Sequence, residues 1–288
     1  MTSPAESPPP PGLELVRGFS LEMTGKDRRS LAEAAGSLPP RTRVNVTFLG
    51  NEETGLRVAA AADVRAAGLE PVPHISARRL VSGAELDEFL DLLVGQAQVT
   101  DVFVVGGDPV EPLGPFPDAL SLITSGRLQA HGVGAVAIAG YPEGHPDIDD
   151  ATLWASLQNK ATALQEASLS GSIITQFGFD SRAVLSWLAE LRRRGIDLPV
   201  RIGVPGPAGI RRLLSYARRF GISSSAGIAQ QYGFSLANLL GTAGPDRFVH
   251  HLAAGLDPPT HGEVRLHFYT FGGLAATARW VEDFIAGA

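Results

Sequence analysis

The chain has 288 residues, 24 basic and 30 acidic side chains, a formal net charge of −6 and no cysteine. That charge gives no general attraction to nucleic acid or to an anionic membrane surface, and the missing cysteines exclude disulfides, thiolate catalysis and Cys-ligated zinc or iron–sulfur centres. With 44% hydrophobic and 19% charged residues the sequence reads as a globular protein with a sizeable core, and no segment reaches the roughly 18 uninterrupted apolar residues of a membrane span.

The opening MTSPAESPPPPG has neither a basic leader nor an apolar stretch, and its prolines suit an extended, solvated tail. We expect a disordered or surface-draped tail over 1–13, one domain over 14–288, and a cytoplasmic protein. Beyond the tail, short apolar runs rich in β-branched residues alternate with longer segments whose apolar positions recur at helical spacing. The first predicted strand is 15–23 (LVRGFSLEM), followed by a helix over 27–36. Strand 43–49 (RVNVTFL) leads to helix 53–67, strand 69–76 (LEPVPHIS) to helix 83–95, and strand 100–107 (TDVFVVGG) to helix 116–126. Strand 134–141 (GAVAIAGY) leads to helix 150–168 and strand 172–179 (SIITQFGF) to helix 180–194. Strand 198–206 (LPVRIGVPG) is followed by helix 207–220 and a longer helical stretch over 226–256, and strand 265–271 (RLHFYTF) by a last helix over 274–287.

Thr54, Ser82 and Asp180 are placed as helix N-caps and Gly68, Gly195 and Gly221 as stops. Eight strand–helix units with no linker between them predict an α/β fold, a single (β/α)8 TIM barrel with an extra helical segment before the last strand. An open doubly wound sheet would carry a Gly-x-Gly-x-x-Gly turn after its first strand, and none sits there. The glycine-rich stretches GGDPV at 106–110 and GVPGPAG at 203–209 match neither that fingerprint nor a P-loop.

A barrel of this kind presents its chemistry at the carboxyl ends of the strands. The residues placed there are Glu22, Thr47, His74, Asp108, Tyr141 with Glu143 and His145, Gln176, Arg201, and His267 with Tyr269. Each has a plain structural reading as well. Thr47 and Tyr269 can pack with their hydroxyls satisfied, and His74 can be a core imidazole. Asp108 can cap the next helix or close an Asx turn, and Glu143 can be a solvated loop charge. Glu22 differs because it interrupts the apolar stretch FSLEM, where an unpaired carboxylate is costly to bury. No His-x-His pair followed by a carboxylate and no Gly-x-Ser-x-Gly elbow is present, so metal hydrolysis and acyl transfer recede. His250 and His251 are adjacent on a helix and point in different directions.

The pieces SLEMT, VNVTF, PHIS, GGDP, GYPEGHP, TQFGFD and HFYTF, in that order, give the chain a resemblance to the methylenetetrahydrofolate reductases, of the short type that consists of the catalytic barrel. YPEGHP followed by TQFGFD is the most specific of them. The resemblance implies a flavoprotein that reduces methylenetetrahydrofolate to methyltetrahydrofolate, with FAD (or FMN, or a weakly held flavin) as cofactor. NADH or NADPH is the implied hydride donor, and a homo-oligomer the implied assembly. It implies that Thr47, His74, Asp108, Tyr141, His145 and Lys160 contact the flavin, Lys160 through a phosphate. Glu22 would be the general acid that protonates the folate, kept protonated by an apolar setting. Asp108 would stabilise cationic character on the folate, Gln176 would bond the pterin, and Tyr269 would line the substrate cavity.

The chain departs from the family pattern at Gly272 and Gly273, where Asn and Arg are usual, at Lys160, the one basic residue left from an adjacent set, and at Ile210, where an aromatic is usual. Two alternatives follow: a divergent folate-dependent demethylation enzyme on the same scaffold, and a folate- or flavin-binding barrel without turnover.

Overall fold

The structure, a computed structural model, describes residues 12–48, 50, 52–219 and 241–287. Eight parallel strands close into a barrel in which each neighbours the next along the chain: Ser20–Met23, Arg43–Val46, Glu70–Ser76, Asp101–Val105, Ala135–Gly140, Ser170–Thr175, Val200–Pro205 and Val264–Tyr269. The seam is made by the first strand, whose Ser20 is level with His267 on one side and Arg43 on the other. Helices connect the strands on the outside, as expected for a (β/α)8 barrel. The tail residues 1–11 lie outside the described residues, and Leu13 is already buried in the fold.

Predicted and observed elements differ most where local chemistry intervenes. The first strand is shorter than 15–23: Leu13–Val16 coil into one helical turn, and Gly18 at φ 67° reverses the chain before the strand begins. A positive φ is a conformation that glycine adopts without a Cβ clash. The helix expected over 116–126 is only Ala119–Ile123, because the Thr124 and Ser125 hydroxyls donate back to the carbonyls of Leu120 and Leu122 and end it. Of the stretch 226–256, residues up to 240 lie outside the described residues. Beyond them the chain is not helical until Asp246–Gly255, because Thr242–Ala243 pair antiparallel with Ala208–Gly209 and Pro245 stands before the helix. The same pairing delays the preceding helix to Ile210–Arg219. Ser82 and Asp180 cap their helices through the side chain as expected, whereas Glu53, not Thr54, occupies the cap before Thr54–Ala66.

Alternation along the strands sorts the side chains into two apolar compartments. The larger lies between strands and helices and takes Leu21, Val44, Val46, Ile138, Ile173 and Leu266 among many others. The smaller is inside the barrel and is built by Val72, Phe103, Ala137 and Ile174, with Val105 and Ala139 against them. All six stand on the third to sixth strands. The facing half of the interior, supplied by the first, second and eighth strands, carries Ser20, Glu22, Asn45 and His267 instead. Half of the barrel lumen is therefore hydrocarbon and half is polar, and the site is built on the polar half.

Arg201 is not at the rim. It sits at the second position of its strand, level with Arg265, and its Nη1 donates to the carbonyl of Gly18, which precedes the first strand, at 2.8 Å. That is the opposite end of the barrel, where Arg43 also pairs with Asp101 at 2.7 Å. Burial beside Arg43 and Arg265 lowers the Arg201 pKa to about 10. Its place early in the strand rather than at its end is what puts it there.

At the rim, the turn after the eighth strand presses on the loop after the seventh. A Cβ at Gly272 would lie 1.8 Å from the Pro207 carbonyl oxygen, a backbone atom that has nowhere to go. Steric exclusion thus explains why the chain has no side chain at Gly272. Replacing Gly272 by Ala is expected to destabilise the protein by about 1–3 kcal/mol or more, read as a lowered midpoint in thermal or urea denaturation. The same change at Gly209, where no atom lies within 4 Å of the added carbon, is expected to have a far smaller effect.

Candidate active site

Glu22 is the third residue of the first strand and points into the polar half of the lumen, with 17% of its side chain exposed. His267 on the neighbouring eighth strand donates from Nε2 toward Glu22 Oε2 at 3.4 Å. The Ser20 hydroxyl lies 2.8 Å from the other ring nitrogen, Nδ1. Thr47, immediately beyond the second strand, anchors its own N–H on the Met23 carbonyl at 2.8 Å, and its hydroxyl favours the charged form of the Glu22 carboxylate. Burial opposes ionisation of Glu22 most strongly, but the donors around it, His267 first and Thr47 after it, favour the charged form, and the pKa ends below the usual carboxylate value. This corrects the expectation of a carboxyl held protonated by an apolar setting. The surroundings of Glu22 are donors, and donors favour the charged form.

His74, on the third strand, is buried with its ring edge-on to Phe103 at 4.7 Å, and Asn45 Nδ2 lies 3.4 Å from its Nε2. Desolvation lowers its pKa to about 4, so it is neutral at physiological pH. Its backbone is fixed by Arg57, which donates to the His74 carbonyl at 3.3 Å. The Arg57 guanidinium stacks against Phe48 and Phe89 at 4.4 and 4.2 Å. The Asn45 Oδ1 is buried with no hydrogen-bond partner.

Tyr269, at the end of the eighth strand, donates to the Thr175 carbonyl at 3.2 Å and packs edge-on to His267 and Phe177. Burial first, and then the fields of Glu22 and Tyr141, push its pKa well above the usual phenol value. Glu22, His74, Thr47, Tyr141, His267 and Tyr269 therefore share one neighbourhood. Phe271 joins it, stacked on Tyr216 at 4.0 Å and edge-on to Phe177 at 5.1 Å. This aromatic wall was not picked out from the sequence, where Phe177 and Phe271 lie on two predicted strands and Tyr216 on a predicted helix.

The loop after the fifth strand holds Tyr141 and His145 edge-on at 5.4 Å, and His145 Nδ1 accepts the Asp147 N–H at 3.1 Å. Glu143 is not a solvated loop charge. Its Oε1 accepts the backbone N–H groups of Phe179 and Asp180 at 2.6 and 2.8 Å, which ties this loop to the one after the sixth strand. A Cβ at Gly178 would fall 2.4 Å from that oxygen, so a side chain there would displace the Glu143 carboxylate from the strap. Behind the loop a cavity of about 420 Å³ is lined by Tyr141, Glu143, Trp154, Leu157 and Trp187. Gln176 folds its side chain back, and its Oε1 accepts the Phe177 N–H at 3.1 Å.

Asp108 and Lys160 stand apart from the Glu22 cluster. Asp108 is 75% exposed and accepts from Nε and Nη2 of Arg79, at 2.7 and 2.6 Å. The bond from Arg79 holds its pKa below the usual carboxylate value. Arg79 also lies over the Phe48 ring, so Asp108 is linked through it to the loop that carries Thr47. Lys160 is buried on the helix Asp150–Glu166, with no ion-pair partner among the described residues; desolvation, opposed by the field of Asp118, lowers its pKa to about 8. Among the described residues no group of three His, Asp or Glu side chains could hold a metal ion, and no helix is long and apolar enough to cross a membrane.

A closed parallel barrel with an ionisable cluster at the carboxyl ends of its strands defines a (β/α)8-barrel protein with a single rim site. The profile of the family described as methylenetetrahydrofolate reductase matches residues 24–228, well over half of the chain. Methylenetetrahydrofolate reductase (NADH) 1 of Arabidopsis thaliana is 30% identical over 135 residues, 43% of this chain and 22% of that protein. Methylenetetrahydrofolate reductase 2 of Saccharomyces cerevisiae is 30% identical over 112 residues, 38% of this chain and 17% of that protein. The matched stretch thus spans about a fifth of the curated relatives' own length. Among solved structures, a dihydropteroate synthase from Burkholderia cenocepacia aligns with a TM-score of 0.49 at 13% identity, covering 93% of this chain and 91% of that one. The chain belongs to the methylenetetrahydrofolate reductase family. Glu22 and Tyr269 lie outside the matched residues, and their place in the site rests on the closure of the barrel.

Two outcomes test this geometry. The folded-state pKa of His74 lies below its ordinary value, so its contribution to stability is complete above about 6.5 and is lost as the pH falls toward about 4. The melting temperature is expected to drop over that window, and to drop less in His74→Asn, which has nothing to titrate. Glu143→Ala is expected to cost about 1–3 kcal/mol by leaving two buried N–H groups without an acceptor. Glu143→Gln retains a carbonyl oxygen and should recover most of that loss in the same denaturation assay.

Proposed function

We propose that the protein reduces methylenetetrahydrofolate to methyltetrahydrofolate at this rim, with a flavin as cofactor and NADH or NADPH as reductant. The observation that carries the reading is Glu22, a carboxylate on the polar half of the lumen, braced by His267 and Thr47 and open to the mouth of the barrel. Family membership supports the substrate class.

The residues present fit a flavin. Lys160 is a buried cation with no ion-pair partner among the described residues, supported by the field of Asp118, and a phosphate would neutralise it. One such cation is compatible with FMN as well as FAD. The edge-on pair of Tyr141 and His145 on a loop strapped down by Glu143 supplies a rigid wall with polar edges, and Thr47 and His74 stand across from it. Bound there, the flavin would supply hydride transfer.

The chain's own groups would do the rest. Glu22 delivers a proton to the ring nitrogen of the folate as the carbon–nitrogen bond opens. The bonding pair goes to nitrogen, and an iminium carbon is left to accept hydride. Because Glu22 is ionised in the free protein, it must gain that proton when the substrate covers the mouth and shuts out water, which strengthens the desolvation that already opposes its charge. Asp108 would favour cationic folate only by exchanging its ion pair with Arg79 for the substrate, and Gln176 can exchange its bond to Phe177 for one to the pterin. Tyr269 and the Phe177–Phe271 pair form the apolar wall for the ring system.

A second reading, folate-dependent demethylation on the same scaffold, is favoured by one feature. The turn at Gly272 and Gly273 carries no side chain to meet the folate's charged tail.

The test is a visible spectrum of the purified protein, titrated with NADH without oxygen and then mixed with methylenetetrahydrofolate. An oxidised-flavin spectrum that bleaches with NADH and returns with the folate is the expected result. Glu22→Gln should still bleach, while its reoxidation by the folate slows by about 10²–10⁴-fold. A colourless protein that takes up no added flavin would overturn the flavin assignment. Bleaching without reoxidation by methylenetetrahydrofolate would favour the second reading.

A further inference from the structure

Beneath Glu22 the lumen contains a hydrogen-bonded chain that the reaction does not by itself require. Ser20 Oγ lies 2.8 Å from His267 Nδ1, and His267 Nε2 lies 3.4 Å from Glu22 Oε2. Ser20 and His267 are both completely buried. The three residues come from the two strands that close the barrel seam, with Ser20 and His267 level in register and Glu22 two residues further up.

The chemistry of the ring fixes the direction of this chain. A neutral imidazole has one donor and one acceptor nitrogen. An ionised Glu22 can only accept, so Nε2 carries the proton, and Nδ1 must then accept the Ser20 hydroxyl. The alternative acceptor for Ser20, the Leu266 carbonyl, is at 3.5 Å, which is a much weaker contact.

We propose that His267, with its tautomer set by Ser20, is the positioning residue that aims Glu22 at the substrate and fixes the pH range over which Glu22 holds its proton. This rests on the reading of Glu22 as the proton donor. The groups that face Glu22 are His267 and Tyr269 from the eighth strand, His74 from the third and Thr47 beyond the second. Arg201 and Arg43 act on His267 from the far end of the lumen and, like burial, disfavour its protonated form. His267 is therefore a neutral donor to Glu22. It is a better brace than a cation, because it orients the carboxylate without neutralising the charge that must later take up a proton. Without the Ser20 hydroxyl the ring is free to adopt the other tautomer, which would turn a lone pair toward the carboxylate and remove the bond.

The experiment has one arm on the free protein and one on the reaction. In the free protein, two-dimensional ¹H–¹⁵N spectra of the imidazoles, with the His267 signals assigned by their loss in His267→Gln, should show the Nε2–H tautomer. Ser20→Ala should shift it toward a mixture. In the reaction, Ser20→Ala and His267→Leu should move the pH profile of reoxidation by the folate to higher pH, because a donor to the charged form of Glu22 has been lost. Its maximum should fall on the order of 10–100-fold in His267→Leu, as expected for a misaimed catalytic group. His267→Gln, whose amide can still donate, should recover part of that loss. Bleaching by NADH, which does not use the Glu22 proton, is followed in each variant to show that the flavin is still bound.

An Nδ1–H tautomer in the free protein would overturn the proposal. So would variants that melt earlier but keep the pH profile, since that is the pattern of a merely structural pair. If Glu22→Gln itself leaves the reoxidation rate intact, the reading of Glu22 as proton donor fails. If Glu22→Gln abolishes reoxidation while Ser20→Ala and His267→Leu leave the profile in place, only the positioning role fails. Because Ser20→Ala removes a single hydroxyl oxygen, it keeps the test open even where His267→Leu does not fold.

Discussion

A carboxylate directed into a closed barrel is the constraint on which the rest of the site depends. In the hydrocarbon half of this lumen, among Val72, Phe103, Ala137 and Ile174, Glu22 would be driven to its neutral form or would not be accommodated at all. The first strand instead stands between the second and the eighth, and those strands supply donors rather than methyl groups. Donors from His267 and Thr47 favour the charged form of Glu22, and the His267 and His74 imidazoles are themselves kept neutral by burial. The division of the lumen into an apolar and a polar half thus fixes the protonation states of three groups at once.

The rim is made rigid by a different device. Loops cannot rely on the ladder of sheet hydrogen bonds, and here single side chains tie one loop to another. Glu143 joins the loops after the fifth and sixth strands through two backbone N–H groups. Arg79 joins the loops after the third and fourth strands through Asp108, and its guanidinium also rests on Phe48. Arg57 pins the third strand beneath that ring. Each strap has a charged end held by groups within the protein. Lys160 differs from them: it is buried with no ion-pair partner among the described residues, and the field of Asp118 supports its charge.

Much of the architecture was legible in the sequence because period-two and helical patterns register burial directly. The eight strands, the rim positions of Glu22, Thr47, His74 and Tyr269, and the caps at Ser82 and Asp180 belong to this class. Local chemistry that overrides periodicity was harder to see. The break at Gly18, the hydroxyls of Thr124 and Ser125, and the pairing of Ala208–Gly209 with Thr242–Ala243 each shortened an element whose apolar pattern ran on. Arg201 was misplaced for a related reason: the sequence shows that it lies on a strand, but its end of the barrel depends on where that strand begins.

The sequence by itself determined the fold class, the order of the strands and the residue types available at the rim, since these follow from hydrophobic periodicity and turn chemistry along a single chain. Only the tertiary structure decided how those residues act. Ser20 and His267 are 247 positions apart and meet because the barrel closes at its first and eighth strands. Glu22 is ionised because that closure surrounds it with donors, and Glu143 is a strap because two loops end side by side. A pKa and a hydrogen-bond partner are properties of a neighbourhood. In a barrel that neighbourhood is assembled from every strand, so no local stretch of sequence contains it.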